Sequence, residues 1–373
     1  MFCYLYCRHE SIVIQEIIGR IFGTLNRELS SVSKDLVGID SSVLDLYLGG
    51  LSGVRFVGIC GMGGIGKTTL AQEIFNRISS CFEASSFIAN VREESKNKGL
   101  VSLQKQLLRK ILGLGDIEIY IWDIYEGINV IRNRLLNKNV LIVLDDVDEE
   151  EQLKALAGSH NWFGPGSRII LTSRDSHLLR RRGVNDIYTV KGLNNDDALQ
   201  LFCWRAFNSP HPKENYVDLS KEFVNYAKGL PLALTVLGPL LFDKRTKEWK
   251  SALDQLKAKP DRNILDILQI SFDGLTDTQK ALFLDIACFF KGKNKDSIRD
   301  ILESFGYYPD YNIGVLMDKC LITVDWGTLC MHDLLQEMGQ EIVSHESPKE
   351  LGGRRRLSHY KDILFVLKNN IVS

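Results

Sequence analysis

Hydrophobic and polar positions follow two different periods along the chain. Between residues 54 and 190, short and nearly continuous β-branched runs alternate with stretches of helical periodicity. The runs predict strands at 54–60, 85–91, 140–145, 167–173 and 187–190. Because strands that are apolar on both faces must be covered on both faces, and helices separate them here, this region predicts a parallel sheet with helices on both sides.

The pattern changes near residue 193, where successive helical patterns replace the strands. Helical periodicity then continues to residue 345, apart from one predicted hairpin that turns at Asp325–Gly327. The predicted organisation has five parts: a helical linker at 1–35, an α/β domain at 36–192, a helical bundle at 193–262, a mostly helical third domain at 263–345, and a second linker at 346–373.

Composition argues against a partner that is held by net charge. The 373 residues include 46 Lys and Arg and 47 Asp and Glu, for a formal net charge of −1. This balance gives no global field to hold a nucleic acid or an anionic membrane, and the basic cluster at 352–356 is expected to be solvated surface. The longest uncharged run, 229–242, is shorter than the ~20 apolar residues of a membrane span. We expect no direct nucleic-acid contact and no membrane segment.

The cysteines indicate a reducing compartment. The chain has eight of them, scattered and without a C-x-x-C pair. Cys60, Cys203 and Cys288 lie inside apolar runs, where a thiol behaves as a small buried hydrophobe. We expect all eight to be reduced and structural, and the protein to be cytoplasmic or nucleocytoplasmic.

The sequence GMGGIGKTT at 61–69 follows a predicted strand and opens a predicted helix. It matches G-x-x-x-x-G-K-[ST], the phosphate-binding P-loop, in the context which that pattern requires. Its glycines let successive N–H groups point at phosphate oxygens, Lys67 brings charge to the β- and γ-phosphates, and Thr68 is placed to ligate Mg²⁺. The predicted nucleotide-contacting residues are Gly61, Gly63, Gly64, Ile65, Gly66, Lys67, Thr68 and Thr69.

A second nucleotide motif, VLIVLDDVD, occupies 140–148. An apolar strand that ends in an acid is typical of a Walker B element, so Asp145 is predicted to hold Mg²⁺ together with Thr68. Asp146 is the next acid and could orient an attacking water, which would make it a catalytic residue. The alternative for both acids is a solvated turn, or the N-cap of a helix that starts near Glu149.

The following strand ends in a polar triplet, Thr172, Ser173 and Arg174. Arg174 could sense the γ-phosphate by a bidentate contact. The segment NKNV at 137–140 lacks the Asp of a guanine-reading N-K-x-D motif, so adenine is favoured. We predict ADP or ATP with Mg²⁺ as the ligands.

The order of motifs resembles that of plant nucleotide-binding leucine-rich-repeat immune receptors, which share an NB-ARC module. The resemblance covers roughly residues 8–370. The motifs that carry it are GMGGIGKTT, FIANVREESK, VLIVLDDVDE, GPGSRIILTSRD, KGLNNDDALQLFCWRAF, GLPLAL, FLDIACFF and MHD. Asp148 and FLDIACFF resemble the subclass that begins with a Toll/interleukin-receptor (TIR) domain. Neither that domain nor leucine-rich repeats accompany the motifs, so we expect a fragment or a truncated product.

This resemblance implies a fold and further site residues. It implies an α/β P-loop NTPase, then a helical bundle and a winged-helix-like α+β domain. Val37 and Gly38 would contact adenine, Pro231 would pack against the base, and His332 of MHD would reach the ADP β-phosphate. From the residues alone, Pro231 could simply occupy the first turn of a buried helix, and His332 could be a satisfied surface histidine.

Three functions remain open from the sequence. The first is a switch in plant defence signalling, in which ADP holds a closed state, ATP an open one, and slow hydrolysis resets it. The second is a steadily hydrolysing ATPase. The third is a non-catalytic adapter that pairs with full-length receptors. Self-association, or association with related receptors, is the macromolecular interaction that the resemblance implies.

Overall fold

The computed structural model describes residues 53–113, 119–184, 186–346 and 356. The predicted helical linker at 1–35 and the predicted adenine contacts of Val37 and Gly38 lie outside the described residues, as does most of the predicted linker at 346–373.

Five parallel strands form the central sheet. They are β1 (Arg55–Cys60), β2 (Ala84–Ile88), β3 (Val140–Val147), β4 (Arg168–Ser173) and β5 (Asp186–Thr189). Their order across the sheet is β2-β3-β4-β1-β5, and every neighbouring pair is parallel. The carboxyl ends of β3, β4 and β1 therefore meet at one edge, with β4 in the middle.

Helices cover both faces of this sheet. They are α1 (Lys67–Ile78), α2 (Val91–Lys98), α3 (Leu100–Leu112), α4 (Ile124–Leu135), α5 (Glu150–Ala157) and α6 (Ser176–Arg181), with short 3₁₀ turns at Ser79–Cys81 and His160–Trp162. Because side chains alternate along a strand, Val57 and Ile59 of β1 pack in the core with α1. Phe56 and Cys60 pack in the opposite core, with α3 and α4.

All five predicted strands are present, and the predicted parallel sheet with helices on both sides is confirmed. The largest difference between prediction and structure is at β2. The sequence pattern predicts that this strand continues to residue 91, but it ends at Ile88. Asn90 adopts a left-handed conformation with φ 51°, and α2 begins directly after it at Val91. A left-handed residue cannot continue a strand, so the apolar run ends in a helix instead.

The helical bundle has four helices around Trp249. They are α7 (Asn195–Phe207), α8 (Val217–Ala227), α9 (Pro231–Leu241) and α10 (Thr246–Ala258), with a 3₁₀ turn at Glu214–Tyr216. The Trp249 ring is fully buried and packs edge-on against Phe202 and Phe223. Its Nε1 donates to the carbonyl of Leu241 at 3.0 Å, so its polar atom is satisfied inside the core.

The third domain is mostly helical with one hairpin. Its elements are α11 (Arg262–Asp273), α12 (Asp277–Asp285), a π-helical turn (Ile286–Phe290), α13 (Arg299–Ser304), α14 (Pro309–Asp318), β6 (Thr323–Asp325), β7 (Thr328–Cys330) and α15 (Asp333–Glu346). The predicted hairpin is confirmed: Asp325 pairs with Thr328, and Trp326 and Gly327 between them both have positive φ, as a tight I′ turn requires.

The bundle and the third domain share one apolar core. It extends without interruption from Ala198 in α7 to Val343 in α15. One residue from the α/β domain also belongs to it, Ile65 of the glycine-rich loop, which is only 6% exposed. The loop is therefore packed into the core of the domains that follow it.

Candidate functional site

The glycine-rich loop connects the end of β1 to the start of α1. Cys60 is the last residue of β1 and Lys67 the first of α1. The Lys67 side chain folds back over the loop, where Nζ donates to the carbonyls of Gly61 at 2.8 Å and Met62 at 2.9 Å. The helix N-terminus and the Lys67 ammonium thus converge on the inside of the loop, which is the arrangement that binds phosphate.

Lys67 lies in an environment that disfavours its charge. The side chain is 7% exposed, and burial lowers the pKa of its ammonium from 10.5 to about 8, with a further contribution from the nearby charge of Arg174. Asp146 acts in the opposite direction but does not offset the burial. An anionic ligand in the loop would raise the pKa of Lys67 again, because a nearby negative charge favours the ammonium form.

Asp145 joins the loop to the sheet. Its carboxylate is fully buried, and Oδ1 accepts hydrogen bonds from the hydroxyls of Thr68 at 2.9 Å and Thr172 at 2.7 Å. Among the residues described, Oδ2 has no hydrogen-bond partner. A buried carboxylate oxygen beside a threonine hydroxyl fits Mg²⁺, a cation that prefers oxygen ligands. The predicted metal ligands, Thr68 and Asp145, thus lie together.

Asp146 is engaged by two arginines. Its backbone is left-handed, with φ 56°, and its N–H donates to the Thr172 hydroxyl at 2.8 Å. The carboxylate pairs with Arg92 of α2 at 2.8 Å and with Arg174 after β4 at 3.5 Å. The alternatives of an exposed turn and a helix cap do not apply to Asp146, since α5 begins later and is capped by Glu149. Its role in orienting water stays a prediction.

Arg174 bridges the loop and the third domain. A Cβ added to Gly63 would lie 2.9 Å from Nη1 of Arg174, so the guanidinium lies directly against the loop. The same Nη1 donates to the carbonyl of Ile267 in α11 at 2.9 Å. Arg174 is therefore placed where a loop-bound phosphate and the third domain could both engage it; its sensing of the γ-phosphate stays a prediction.

The start of α9 lies on the other side of the loop. Leu232 N donates to the Gly64 carbonyl at 3.1 Å, and the Leu232 side chain packs so closely that a Cβ on Gly64 would lie 2.5 Å from it. Pro231 occupies the first turn of α9, as the helical interpretation of GLPLAL predicts. It also lies 3.9 Å from the position of a Cβ on Gly66, so it faces the loop. Contact with a base stays a prediction.

His332 lies between the third domain and the bundle. Its Nδ1 accepts from the N–H of Leu334 at 3.2 Å, and its Nε2 lies 3.2 Å from the carbonyl of Lys228. Since Nδ1 is an acceptor here, Nε2 carries the proton and donates. Burial lowers the His332 pKa, which keeps the ring neutral at pH 7. The carbonyl of Lys228 immediately precedes Gly229 of GLPLAL, and contact with a β-phosphate stays a prediction.

A cavity of about 230 Å³ lies at the carboxyl ends of β3 and β4. Arg92, Asp146, Ser173, Arg174, Ser271 and Lys319 line it. These residues come from the α/β domain and from the third domain, so both domains contribute to the walls of the cavity.

Two site features were not predicted from the sequence. Arg92 lies within FIANVREESK, but no local pattern indicated that it would reach Asp146. The Thr172 hydroxyl links the Asp145 carboxylate to the Asp146 backbone, a role that no local pattern indicates. Parallel pairing of β3 with β4 creates that link, and the pairing register is not evident from either strand alone.

Family models match two parts of the chain. Residues 45–211 match the NB-ARC domain, and residues 276–347 match the "Disease resistance protein Roq1-like, winged-helix domain". The chain is an NB-ARC protein with a Roq1-like winged-helix domain. The third domain described above is accordingly its winged-helix domain, and the loop at 61–69 lies within its NB-ARC domain.

Curated relatives of this NB-ARC protein are disease resistance proteins. RUN1 of Vitis rotundifolia is 44% identical over 346 residues, covering 92% of this chain and 26% of that protein. The TMV resistance protein N of Nicotiana glutinosa is 41% identical over 375 residues, covering 96% of this chain and 31% of that protein. The chain thus spans about a quarter to a third of the length of these relatives.

Among solved structures, a Walker-type ATPase of Pyrococcus abyssi superposes with a TM-score of 0.50 at 15% identity. The match covers 77% of this chain and 91% of that one, and it supports the fold. Within the described ranges, none of the helices combines the length and the apolar character that crossing a membrane requires.

Proposed function

We propose that this NB-ARC protein is an adenine-nucleotide switch of a plant disease-resistance protein, in which ADP and ATP favour different arrangements of its domains. One observation carries the proposal: both following domains touch the nucleotide loop. Leu232 of the bundle donates to Gly64, and Ile267 of the winged-helix domain accepts from Arg174, which lies against Gly63.

The contacts explain how a ligand could move the domains. A ligand shifts a conformational equilibrium only through different affinities for the two states. A γ-phosphate that engaged Arg174 would compete with Ile267 for the guanidinium, whereas a diphosphate would leave this contact intact. Mg²⁺ held by Thr68 and Asp145 would supply charge that neutralises the phosphates.

A steady ATPase is less consistent with the site. The acid that would orient an attacking water, Asp146, is paired with both Arg92 and Arg174. To orient a water, this carboxylate would have to give up at least one of these two ion pairs. We therefore propose that hydrolysis is slow and serves to reset the switch. We also place the protein in the cytoplasm or the nucleocytoplasm, which agrees with the six free cysteines of the described ranges.

The nucleotide itself tests the proposal. The purified chain would be heat-denatured, and the released nucleotide identified by chromatography, with Lys67→Ala as the control. We expect ADP from the wild type and none from the variant, which loses a charge-assisted contact worth ~1.5–3 kcal/mol. Turnover should be far below ~1 s⁻¹, the lower end of typical enzymes. Release of guanine nucleotide, or sustained turnover above that rate, would contradict the switch.

A mixing experiment tests the adapter and self-association. Size-exclusion chromatography with light scattering would be run on the ADP-loaded and ATP-loaded chain, alone and with a full-length relative. We propose that the ATP-loaded form associates and the ADP-loaded form does not. Association independent of the nucleotide would favour the adapter over the switch.

A further inference from the structure

Three consecutive residues at the end of α14 attach the winged-helix domain to the α/β domain. Asp318 accepts from the Ser176 hydroxyl at 3.2 Å and also pairs with Arg180 of α6. Lys319 Nζ lies 3.2 Å from Oδ2 of Asp175, the residue that caps α6. Cys320 follows, in a left-handed conformation with φ 54°. We call residues 318–320 the corner.

The corner places Cys320 against the nucleotide loop. Its Sγ lies 3.4 Å from Sγ of Cys60, the last residue of β1 and the one directly before Gly61. The two cysteines are 260 positions apart in sequence. Cys60 is fully buried, whereas Cys320 is partly exposed. A partly exposed cysteine therefore contacts a fully buried one across the boundary between two domains.

Bond formation would need only a small movement. The S–S bond of a disulfide is ~2.05 Å, so the sulfurs would have to approach by roughly 1.3 Å from their hydrogen-bonded separation. The corner is held by its own ion pairs, which keep Cys320 in place. Among the free cysteines of the described ranges, this is the pair whose sulfur atoms are in contact.

The two thiols are not equivalent. The hydrogen bond from Cys60 and the charge of Lys67 lower the pKa of Cys320. The same hydrogen bond and burial raise the pKa of Cys60. Cys320 thus has the more acidic thiol and is the more exposed residue of the two, and acidity and exposure are the two properties of a reactive cysteine.

We propose that Cys60 and Cys320 form a redox modification site, at which a peroxide drives a reversible disulfide between the α/β and winged-helix domains. The Cys320 thiolate attacks the peroxide O–O bond and gives a sulfenic acid and hydroxide. Hydroxide takes the Cys60 proton, and the Cys60 sulfur then attacks the sulfenic sulfur and expels hydroxide, which is protonated to water. The net change is two thiols and one hydrogen peroxide to one disulfide and two waters.

This cross-link would hold the corner covalently against Cys60, the residue directly before the nucleotide loop. The consequence for the nucleotide rests on the proposed function: if the winged-helix domain must move for nucleotide to exchange, the disulfide holds the protein in its present state. A thiol reductant would release it, as expected for a labile disulfide in a reducing compartment.

The site is tested by peptide mapping. The reduced, purified chain would be exposed to hydrogen peroxide, alkylated, digested without reductant and analysed by mass spectrometry. We expect a linked peptide pair that contains Cys60 and Cys320, absent after reductant and absent in Cys320→Ser. Cys81→Ser removes an exposed cysteine and serves as the matched control, in which the linked pair should persist. Cys60→Ala gives a second test should Cys320→Ser be poorly folded.

Peptide mapping and the rate of nucleotide release together distinguish the redox site from the nucleotide switch. Release of a fluorescent ADP from the wild type should slow roughly tenfold or more on oxidation and recover with reductant, because a cross-link opposes domain separation. It should not slow in Cys320→Ser. A linked pair in a chain that binds no nucleotide would overturn the switch and leave the redox site intact. Oxidation of Cys320 without any linked pair, or the same pair formed equally in guanidinium, would overturn the redox site.

Discussion

The lowered pKa of Lys67 should make nucleotide binding a proton-linked event. Burial holds its pKa at about 8, below the ordinary 10.5, while a phosphate beside the ammonium would raise the pKa again. Above pH 8, the free loop therefore carries a largely neutral amine that must take up a proton as the nucleotide binds. We predict that affinity falls as the pH rises above about 8, and that binding at pH 8.5 takes up protons.

Calorimetry checks this prediction. Titrations of ADP at pH 8.5 in two buffers with different ionisation enthalpies should give different observed heats. At pH 7 the ammonium form prevails in both states, so the buffer dependence that comes from Lys67 should shrink. Equal heats in both buffers at pH 8.5 would mean that Lys67 keeps its proton throughout.

Substitution of Asp145 and of Asp146 should have different effects on how Mg²⁺ changes nucleotide affinity. Asp145→Asn keeps an oxygen for Thr68 and Thr172 but removes the charge beside the orphaned Oδ2, so Mg²⁺ should no longer strengthen nucleotide binding. Asp146→Asn removes only the charge that faces Arg92 and Arg174, so this Mg²⁺ effect should persist while hydrolysis slows.

Affinity with and without Mg²⁺ would be measured for both variants, with Asp148→Asn as the control. Asp148 lies two residues further on, in the wall of the same cavity, and pairs with Lys96 instead of Arg92 or Arg174. Loss of the Mg²⁺ effect in Asp146→Asn, and its retention in Asp145→Asn, would exchange the two roles.

At the scale of elements, Gly64 fixes how the loop meets α9. Its φ is +75°, and an added Cβ would lie 2.5 Å from the Leu232 side chain. Gly183 also has positive φ, +65°, but nothing lies within 4 Å of its Cβ position. Both changes to Ala incur the left-handed penalty of ~1–2 kcal/mol, and only Gly64→Ala must also push α9 away.

We therefore predict that Gly64→Ala lowers the melting temperature more than Gly183→Ala does, and that it alone weakens ADP retention. Thermal unfolding and the ADP content after gel filtration check this. If the two variants behaved alike, the loop would not depend on its contact with α9.

Elements whose signal is contiguous in sequence were predictable. The β-branched runs predicted all five strands, and the glycine and lysine spacing located the loop, because backbone conformation and apolar burial are imposed locally. What escaped prediction depends on packing between distant segments. Ile65 looks like an ordinary loop residue, yet it belongs to the core of the bundle and the winged-helix domain. Arg92 likewise gains its partner only after β3 and α2 come together.

At the scale of the whole molecule, His332 helps to hold the winged-helix domain against the helical bundle. Its donor bond to the Lys228 carbonyl links α15 to the segment that leads into Pro231. The neighbouring Asp333 pairs with both Lys228 and Lys291, so two consecutive residues fasten this junction. His332→Ala and Asp333→Val should both loosen it, lower ADP retention and raise the ATP-bound fraction.

The size of the effect distinguishes two roles of His332. A neutral imidazole–carbonyl bond contributes ~0.5–1.5 kcal/mol, so losing it alone would shift the closed-to-open ratio roughly 2- to 13-fold. A bond to the β-phosphate contributes ~1.5–3 kcal/mol and would shift it roughly 10- to 150-fold.

ADP content measured beside small-angle scattering gives the ratio, and His345→Ala, in the last turn of α15, is the control. A shift of a few-fold that is the same with and without ADP would assign His332 to the domain contact. A larger shift seen only with ADP would assign it to the phosphate. Unchanged occupancy and an unchanged envelope in both His332→Ala and Asp333→Val would mean that this junction does not hold the domain closed.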